Sequence, residues 1–254
     1  RADTRPTLRG LFRALDETGR TILDLIVITA SAGLVIGALQ LSGLSFNFSL
    51  MLVEVAAGSA IVLLVMTALV CIILGMGMPT GVIYLMLAVL VAPALTEYGI
   101  APMSAHLFLF YFGMMSMITP PVCMATYMAA AIARADFWKT GWVGMRLGIV
   151  AYIVPFVFAF QPELVAIGPV GDILLTAAFA ASGVVILCIG IVGYLFAPIG
   201  WGKRALVLAA GALLVAAPPS GVVGWALNAG GLALAAALWW YERRASRRAV
   251  AAAA

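Results

Sequence analysis

Long runs of apolar residues, separated by short polar or glycine- and proline-rich segments, dominate the sequence. No run shows the alternation of apolar and polar residues that is typical of a membrane β-barrel strand. Because open strands cannot satisfy their backbone groups in hydrocarbon, the pattern predicts helices throughout. The runs cover residues 22–43, 48–74, 80–94, 105–133, 142–160, 173–197, 205–217 and 222–241.

The composition indicates that these helices lie in lipid rather than in water. Of the 254 residues, 65% are apolar and only 9% are charged, and the mean hydropathy is +1.16. Such values are typical of a polytopic membrane protein. Because one spanning helix needs about 20 apolar residues, we predict an all-α membrane fold with about six spanning helices, a re-entrant hairpin and a broken helix.

The 14 lysine and arginine residues predict the orientation of the chain in the membrane. They cluster within 1–20, 134–146, 203–204 and 243–248, and the alternate connections contain none. Since basic residues mark the cytoplasmic side, we predict a multi-pass membrane protein with a cytoplasmic basic segment 1–20 and a cytoplasmic basic tail 242–254. Residues 1–20 do not resemble a signal peptide, and the first residue is Arg1, so we expect the C-terminal part of a longer chain.

The segment GMGMPT, residues 75–80, interrupts the apolar region 48–95. The run that follows, 80–94, has 15 residues and would form about 22 Å of helix, which is short for a hydrocarbon core of about 30 Å. We therefore predict a re-entrant hairpin over 48–95. Its tip is formed by residues that allow unusual backbone angles or end a helix: Gly75, Gly77, Pro79 and Thr80.

A second interruption, SMITPPV, lies inside the apolar run 105–133. Pro120 and Pro121 cannot donate backbone hydrogen bonds, so they free carbonyl groups in the preceding turn. Ser116 and Thr119 add hydroxyl oxygens, which suit a hard cation such as sodium. We predict a broken helix over 105–133 with Ser116, Thr119, Pro120 and Pro121 at the break.

Paired broken helices at membrane depth are typical of secondary transporters, in which helix termini face an anionic substrate and freed carbonyls face a cation. Packing kinks are the alternative interpretation, and they would suit a non-transporting membrane scaffold or assembly subunit. A membrane enzyme is disfavoured because the sequence has one histidine and no cluster of catalytic residues in its motifs. Nucleic-acid binding is also disfavoured, since the net charge of +4 is explained by membrane orientation.

The order of these motifs resembles the large membrane subunit of TRAP transporters, and more narrowly the fused permeases of the TAXI branch. The similarity covers about 21–164, and its most specific part is the stretch HLFLFYFG followed by ITPP. The resemblance implies a second inverted repeat, over 21–165, of an elevator-type transporter. Residues 166–241 would form additional C-terminal membrane helices.

The resemblance also implies a function. Such permeases import organic acids, such as dicarboxylates, 2-oxoacids or amino-acid-like anions, with a sodium gradient and without ATP. They receive substrate from an extracytoplasmic binding protein and work with a small membrane subunit or a fused N-terminal half. Sodium, the coupling ion, and the substrate would lie against the two breaks, at Gly75, Gly77, Pro79 and Thr80 and at Ser116, Thr119, Pro120 and Pro121. No cofactor, other metal site, catalytic residue or nucleic-acid partner is implied.

Overall fold

The computed structural model describes residues 7–217 and 221–253, which form twelve α-helices and one short 3-10 helix. The described chain contains no β-strand, only an isolated bridge between Tyr194 and Pro198. The predicted all-α class is therefore confirmed. The helices are α1 Leu8–Leu41, α2 Leu44–Val55, α3 Ala60–Gly75, α4 Thr80–Leu90, α5 Ala92–Glu97, α6 Pro102–Met115, α7 Met124–Ala133, α8 Phe137–Leu147, α9 Ile149–Phe160, the 3-10 helix Pro162–Val165, α10 Val170–Val192, α11 Trp201–Ala216 and α12 Gly221–Ala253.

The described residues contain fewer continuous membrane helices than the six or so that the apolar runs predicted. Among the described residues, three helical stretches are long and apolar enough to cross a membrane: Phe137–Phe160, Val170–Val192 and Gly221–Arg244. The pair Ile26–Leu41 and Leu44–Val55 makes a fourth if it is one span bent by 71°. The count is lower because several apolar runs are divided into helices shorter than about 20 residues, the length that spans the bilayer.

The run 48–74 is the clearest such division. Helix α2 ends at Val55, and Ala57 and Gly58 then adopt positive φ angles of 48° and 78°. Ser59 caps α3, its hydroxyl accepting the amide hydrogen bond of Val62 at 3.5 Å. The hairpin arm that leads to the GMGMPT turn is therefore the 16-residue α3, whereas the sequence predicted a single element from residue 48.

The basic segment 134–146, which lies mostly before the predicted apolar run 142–160, is largely helical in the structure. Asp136 caps a helix there, since its carboxylate accepts the backbone N–H of Lys139 at 2.8 Å. Helix α8 then runs through most of the basic segment and continues into α9 after a break at Gly148. A local N-cap thus extends the membrane helix toward its N-terminus, because aspartate satisfies an otherwise unpaired amide.

Helix α6 is the centre of the main hydrophobic cluster, and it packs against α3, α4, α5 and α9. Phe108 of this helix is fully buried and lies edge-on to Phe156 of α9, with ring centroids 5.3 Å apart. Ser104, also on α6, donates a hydrogen bond to the Phe158 carbonyl at 2.9 Å. One short helix therefore holds both arms of the α3–α4 hairpin and α9 in place.

The last three helices pack through small residues. A Cβ atom added to Gly183 of α10 would lie 3.0 Å from the Gly211 carbonyl of α11, and one added to Gly231 of α12 would lie 3.1 Å from the Ala210 carbonyl. Such close backbone approach is how membrane helices associate without a hydrophobic driving force. Buried Gln161, just after α9, donates to the Val215 carbonyl at 3.1 Å and connects this unit to the rest of the molecule.

Replacing Phe108 with alanine should destabilise the bundle by about 3 kcal/mol, because the central cluster would be left with a cavity that its neighbours cannot fill. Phe110→Ala on the same helix is the matched control, since Phe110 is 36% exposed and its loss leaves no closed cavity. Unfolding of the two purified variants in detergent measures the difference. Equal destabilisation would show that α6 is not the centre of the packing.

Candidate ion and substrate site

The first predicted break is a tight turn between α3 and α4. Gly77 has a φ of +82°, a left-handed conformation that glycine adopts without strain. Pro79 precedes Thr80, the first residue of α4, and has no side-chain capping bond. The first amide groups of α4 therefore lack partners within their helix. They form a concentration of positive partial charge at the turn.

The second predicted break separates α6, which ends at Met115, from α7, which begins at Met124. Pro120 and Pro121 are joined by a cis peptide bond and donate no backbone hydrogen bond. In the described part of the chain, the carbonyls of Ser116 and Pro120 accept no backbone hydrogen bond. The break thus presents free backbone oxygens, which is the property the sequence predicted for it.

The two breaks are in direct contact through Ser116 and Gly75. The buried Ser116 hydroxyl lies 3.0 Å from the Gly75 carbonyl oxygen, across the contact, and 2.6 Å from the Gly113 carbonyl oxygen of its own helix. A hydroxyl carries one proton, so it has two alternative acceptors. The two elements are so close that a Cβ atom on Gly75 would lie 2.7 Å from the Ser116 hydroxyl oxygen and 3.1 Å from the Gly113 carbonyl oxygen. A larger residue than glycine would therefore force these neighbours to shift.

Thr119 is held by a residue that the sequence did not reveal. Its hydroxyl oxygen lies 2.6 Å from the Met115 carbonyl oxygen and 2.6 Å from the Tyr152 hydroxyl of α9. A carbonyl cannot donate, so Thr119 gives its single proton to Met115 and Tyr152 donates to Thr119. The threonine oxygen then keeps one lone pair for a further ligand. Tyr152 lies 33 positions from Thr119, and no local pattern connects the two.

Glycines on α8 and at its C-terminal end pack against the second break. A Cβ atom on Gly141 would lie 3.0 Å from the Cys123 sulfur, and one on Gly148 would lie 2.7 Å from a terminal carbon of Ile118. The sequence GWVGMRLG, 141–148, places its small residues at spacings that share one helix face. This signal could have predicted the close packing.

The eight predicted site residues are therefore only partly brought together. Gly75 and Ser116 touch, and Thr119 lies in the same break. Among the described residues, no hydrogen bond joins Gly77, Pro79 or Thr80 to the second break. Ion and substrate binding at these residues stays a prediction.

An α-helical membrane protein with two broken elements in contact has the architecture of a secondary transporter. The chain matches the family described as tripartite ATP-independent periplasmic transporter, DctM component, over residues 2–173, and it belongs to this family. The match contains both breaks and ends at the start of α10, so the predicted resemblance to the TRAP large membrane subunit is confirmed. Comparisons with curated proteins and with solved structures found no match.

Replacing Gly75 with alanine should force the two breaks apart and lower the melting temperature, because the new methyl group would overlap Ser116. Thermal unfolding of the purified protein also measures the loss of unfolding free energy, which we expect to be about 1–3 kcal/mol. Gly81→Ala is the matched control at the same turn, since no atom lies within 4 Å of a Cβ atom placed there.

The double variant Gly75→Ala with Ser116→Gly tests whether overlap with the Ser116 side chain causes the loss of stability. Removing the serine side chain eliminates the overlaps at 2.7 and 2.9 Å and should restore part of the lost stability. If the double variant is no more stable than Gly75→Ala, the destabilisation does not arise from the contact with Ser116.

Proposed function

We propose that this chain is the permease part of a sodium-coupled transporter that imports organic acid anions. The observation that carries the proposal is the contact between the α3–α4 turn and the α6–α7 break, which lies inside the region matched by the transporter family. In secondary transporters, substrate and coupling ion bind where discontinuous helices meet.

Sodium is proposed to bind at the α6–α7 break. The Thr119 hydroxyl retains a lone pair after its bonds to Met115 and Tyr152, and free carbonyls such as that of Ser116 provide further oxygens. Oxygen ligands are those that hard cations prefer. Pro120 and Pro121 keep these carbonyls free of helical hydrogen bonds.

The substrate is proposed to be an organic acid anion held against the α3–α4 turn. The unpaired amides at the start of α4 attract negative charge, and Gly77 and Thr80 offer an accessible backbone and a hydroxyl. Dicarboxylates, 2-oxoacids and amino-acid-like anions share the carboxylate that such a site would bind. Because this chain resembles TRAP permeases, its proposed partners are an extracytoplasmic substrate-binding protein and a small membrane subunit or fused N-terminal half.

The proposed orientation places both termini in the cytoplasm of a bacterium, with the chain in the inner membrane. The salt bridge between Lys203 and Glu242, 2.7 Å long, supports this orientation. It joins the start of α11 to the C-terminal part of α12, so two basic clusters lie at one end of the molecule, as the alternation of basic segments requires. The proposal also includes a TAXI-type fusion, a second inverted repeat over 21–165 and an elevator movement.

Uptake of radiolabelled organic acids should depend on sodium in cells that produce this chain with its membrane partner and binding protein. A panel of a C4-dicarboxylate, 2-oxoglutarate and glutamate should contain at least one substrate whose uptake stops when choline replaces sodium at constant ionic strength. Uptake that continues unchanged in potassium or choline would exclude sodium coupling. A complete absence of uptake across the panel, with normal folding, would favour the scaffold alternative.

Thr119→Val should raise the sodium concentration for half-maximal uptake by about tenfold, which corresponds to roughly 1.4 kcal/mol of lost binding free energy. The variant keeps the size of the side chain and removes the proposed ligand oxygen. Thr96→Val is the matched control, since the described partners of the Thr96 hydroxyl are two carbonyls of its own helix, α5. Equal sodium dependence in both variants would remove Thr119 from the ion site.

A further inference from the structure

A cluster of basic and aromatic side chains lies where α11 begins and where the apolar part of α12 ends. Four cation–π contacts occur there, each between a basic side chain and an aromatic ring. The apolar run 222–241 ends within this cluster, so the cluster falls at the depth of the lipid headgroups. The contacts are Lys203 with Tyr241, Arg204 with Trp201, Arg243 with Trp239 and Arg244 with Trp240.

Two of these four cations are used within the protein. Lys203 forms the salt bridge with Glu242, whose side chain is 9% exposed. The Arg204 guanidinium donates to the carbonyls of Gly190 and Ile191, near the C-terminal end of α10, where helix carbonyls lack partners and a positive charge is favoured. Lys203 and Arg204 therefore have structural roles.

Arg243 and Arg244 differ from these residues. In the part of the chain that the structure describes, no protein atom accepts a hydrogen bond from either guanidinium. Glu242 directly precedes Arg243 in the sequence, but Lys203 already neutralises its carboxylate. Both arginines are exposed, and each keeps the donor groups that bind phosphate oxygens in a bidentate manner.

Each arginine lies one helical turn after the tryptophan that it contacts. The Arg244 guanidinium carbon is 3.4 Å from the centre of the Trp240 ring, and that of Arg243 is 4.8 Å from the centre of the Trp239 ring. The i, i+4 spacing places each pair on one helix face. A ring face restricts the guanidinium without using its N–H groups, so the donors remain available to a ligand.

We infer that Arg243, Arg244, Trp239 and Trp240 form a binding site for the phosphate headgroup of an anionic phospholipid. The arginines would bind the phosphate. The tryptophans, 42% and 51% exposed, would contact the glycerol and upper acyl chain, since tryptophan favours the membrane interface. A soluble phosphate would need no such apolar surface, so a lipid is the occupant that fits the whole cluster.

Quenching by lipids with brominated acyl chains tests this site. The full chain, with Trp138, Trp142 and Trp225 changed to phenylalanine, reports only from Trp201, Trp239 and Trp240. In detergent micelles, brominated phosphatidylglycerol should quench this fluorescence at lower concentration than brominated phosphatidylcholine. Quenching by both lipids at the same concentration would overturn the inference.

Arg243→Gln with Arg244→Gln should weaken the binding of phosphatidylglycerol by about 25-fold, roughly fivefold for each arginine. The matched control is Arg134→Gln with Lys139→Gln, which removes the same charge from the segment around α8 and should leave the binding unchanged. Equal losses in both variants would mean that overall charge attracts the lipid. The melting temperatures of both variants verify that they are folded.

Inorganic phosphate distinguishes a lipid headgroup from a soluble phosphate as the ligand of this site. It is compared with chloride at the same ionic strength. We expect it to leave the quenching unchanged, because the lipid is also held by its apolar contacts. Displacement of the lipid by millimolar phosphate would show a site for a soluble anion and would overturn the lipid assignment.

Discussion

Every backbone polar group at membrane depth needs a hydrogen-bond partner, because an unpaired one costs several kcal/mol in hydrocarbon. Helices satisfy this requirement internally, which explains the all-α architecture. The two breaks are exceptions, and the structure places them against each other. Ser116 lies next to the carbonyl of Gly75, and Ala125 donates to the Met117 carbonyl across the second break. These contacts provide partners for part of the irregular backbone at the two breaks.

The packing around α6 follows from the same requirement. A helix of 14 residues is too short to cross the bilayer by itself, so its broken end must be covered by neighbours. The α3–α4 turn covers it on one side, and Gly141 and Gly148 bring α8 and α9 close on another. Phe108 then fills the space among the short helices. Small residues at the breaks and large ones behind them therefore both serve to cover the broken end of α6.

The sequence was sufficient to predict the helical class and the positions of both breaks, because glycine and proline act on the local backbone. Thr80 begins α4 and Ser116 follows α6, as the motifs indicated. The interruption near Ala57 was missed, although Gly58 and the capping residue Ser59 are residue types that mark the end of one helix and the start of the next. The bond between Thr119 and Tyr152 depends on tertiary packing between distant segments, which apolar periodicity does not encode. Substrate identity is likewise absent from these motifs.

The Ser116 hydroxyl has an acceptor in each of the two elements that meet at the breaks. Its proton can go to Gly75 in the neighbouring element or to Gly113 in its own helix, at 3.0 and 2.6 Å. If the two elements separated, the serine would remain bonded within its helix, and the Gly75 carbonyl would keep the Met78 N–H, which lies 3.5 Å away. Loss of the hydrogen bond between the breaks would therefore leave neither the hydroxyl nor the carbonyl without a partner.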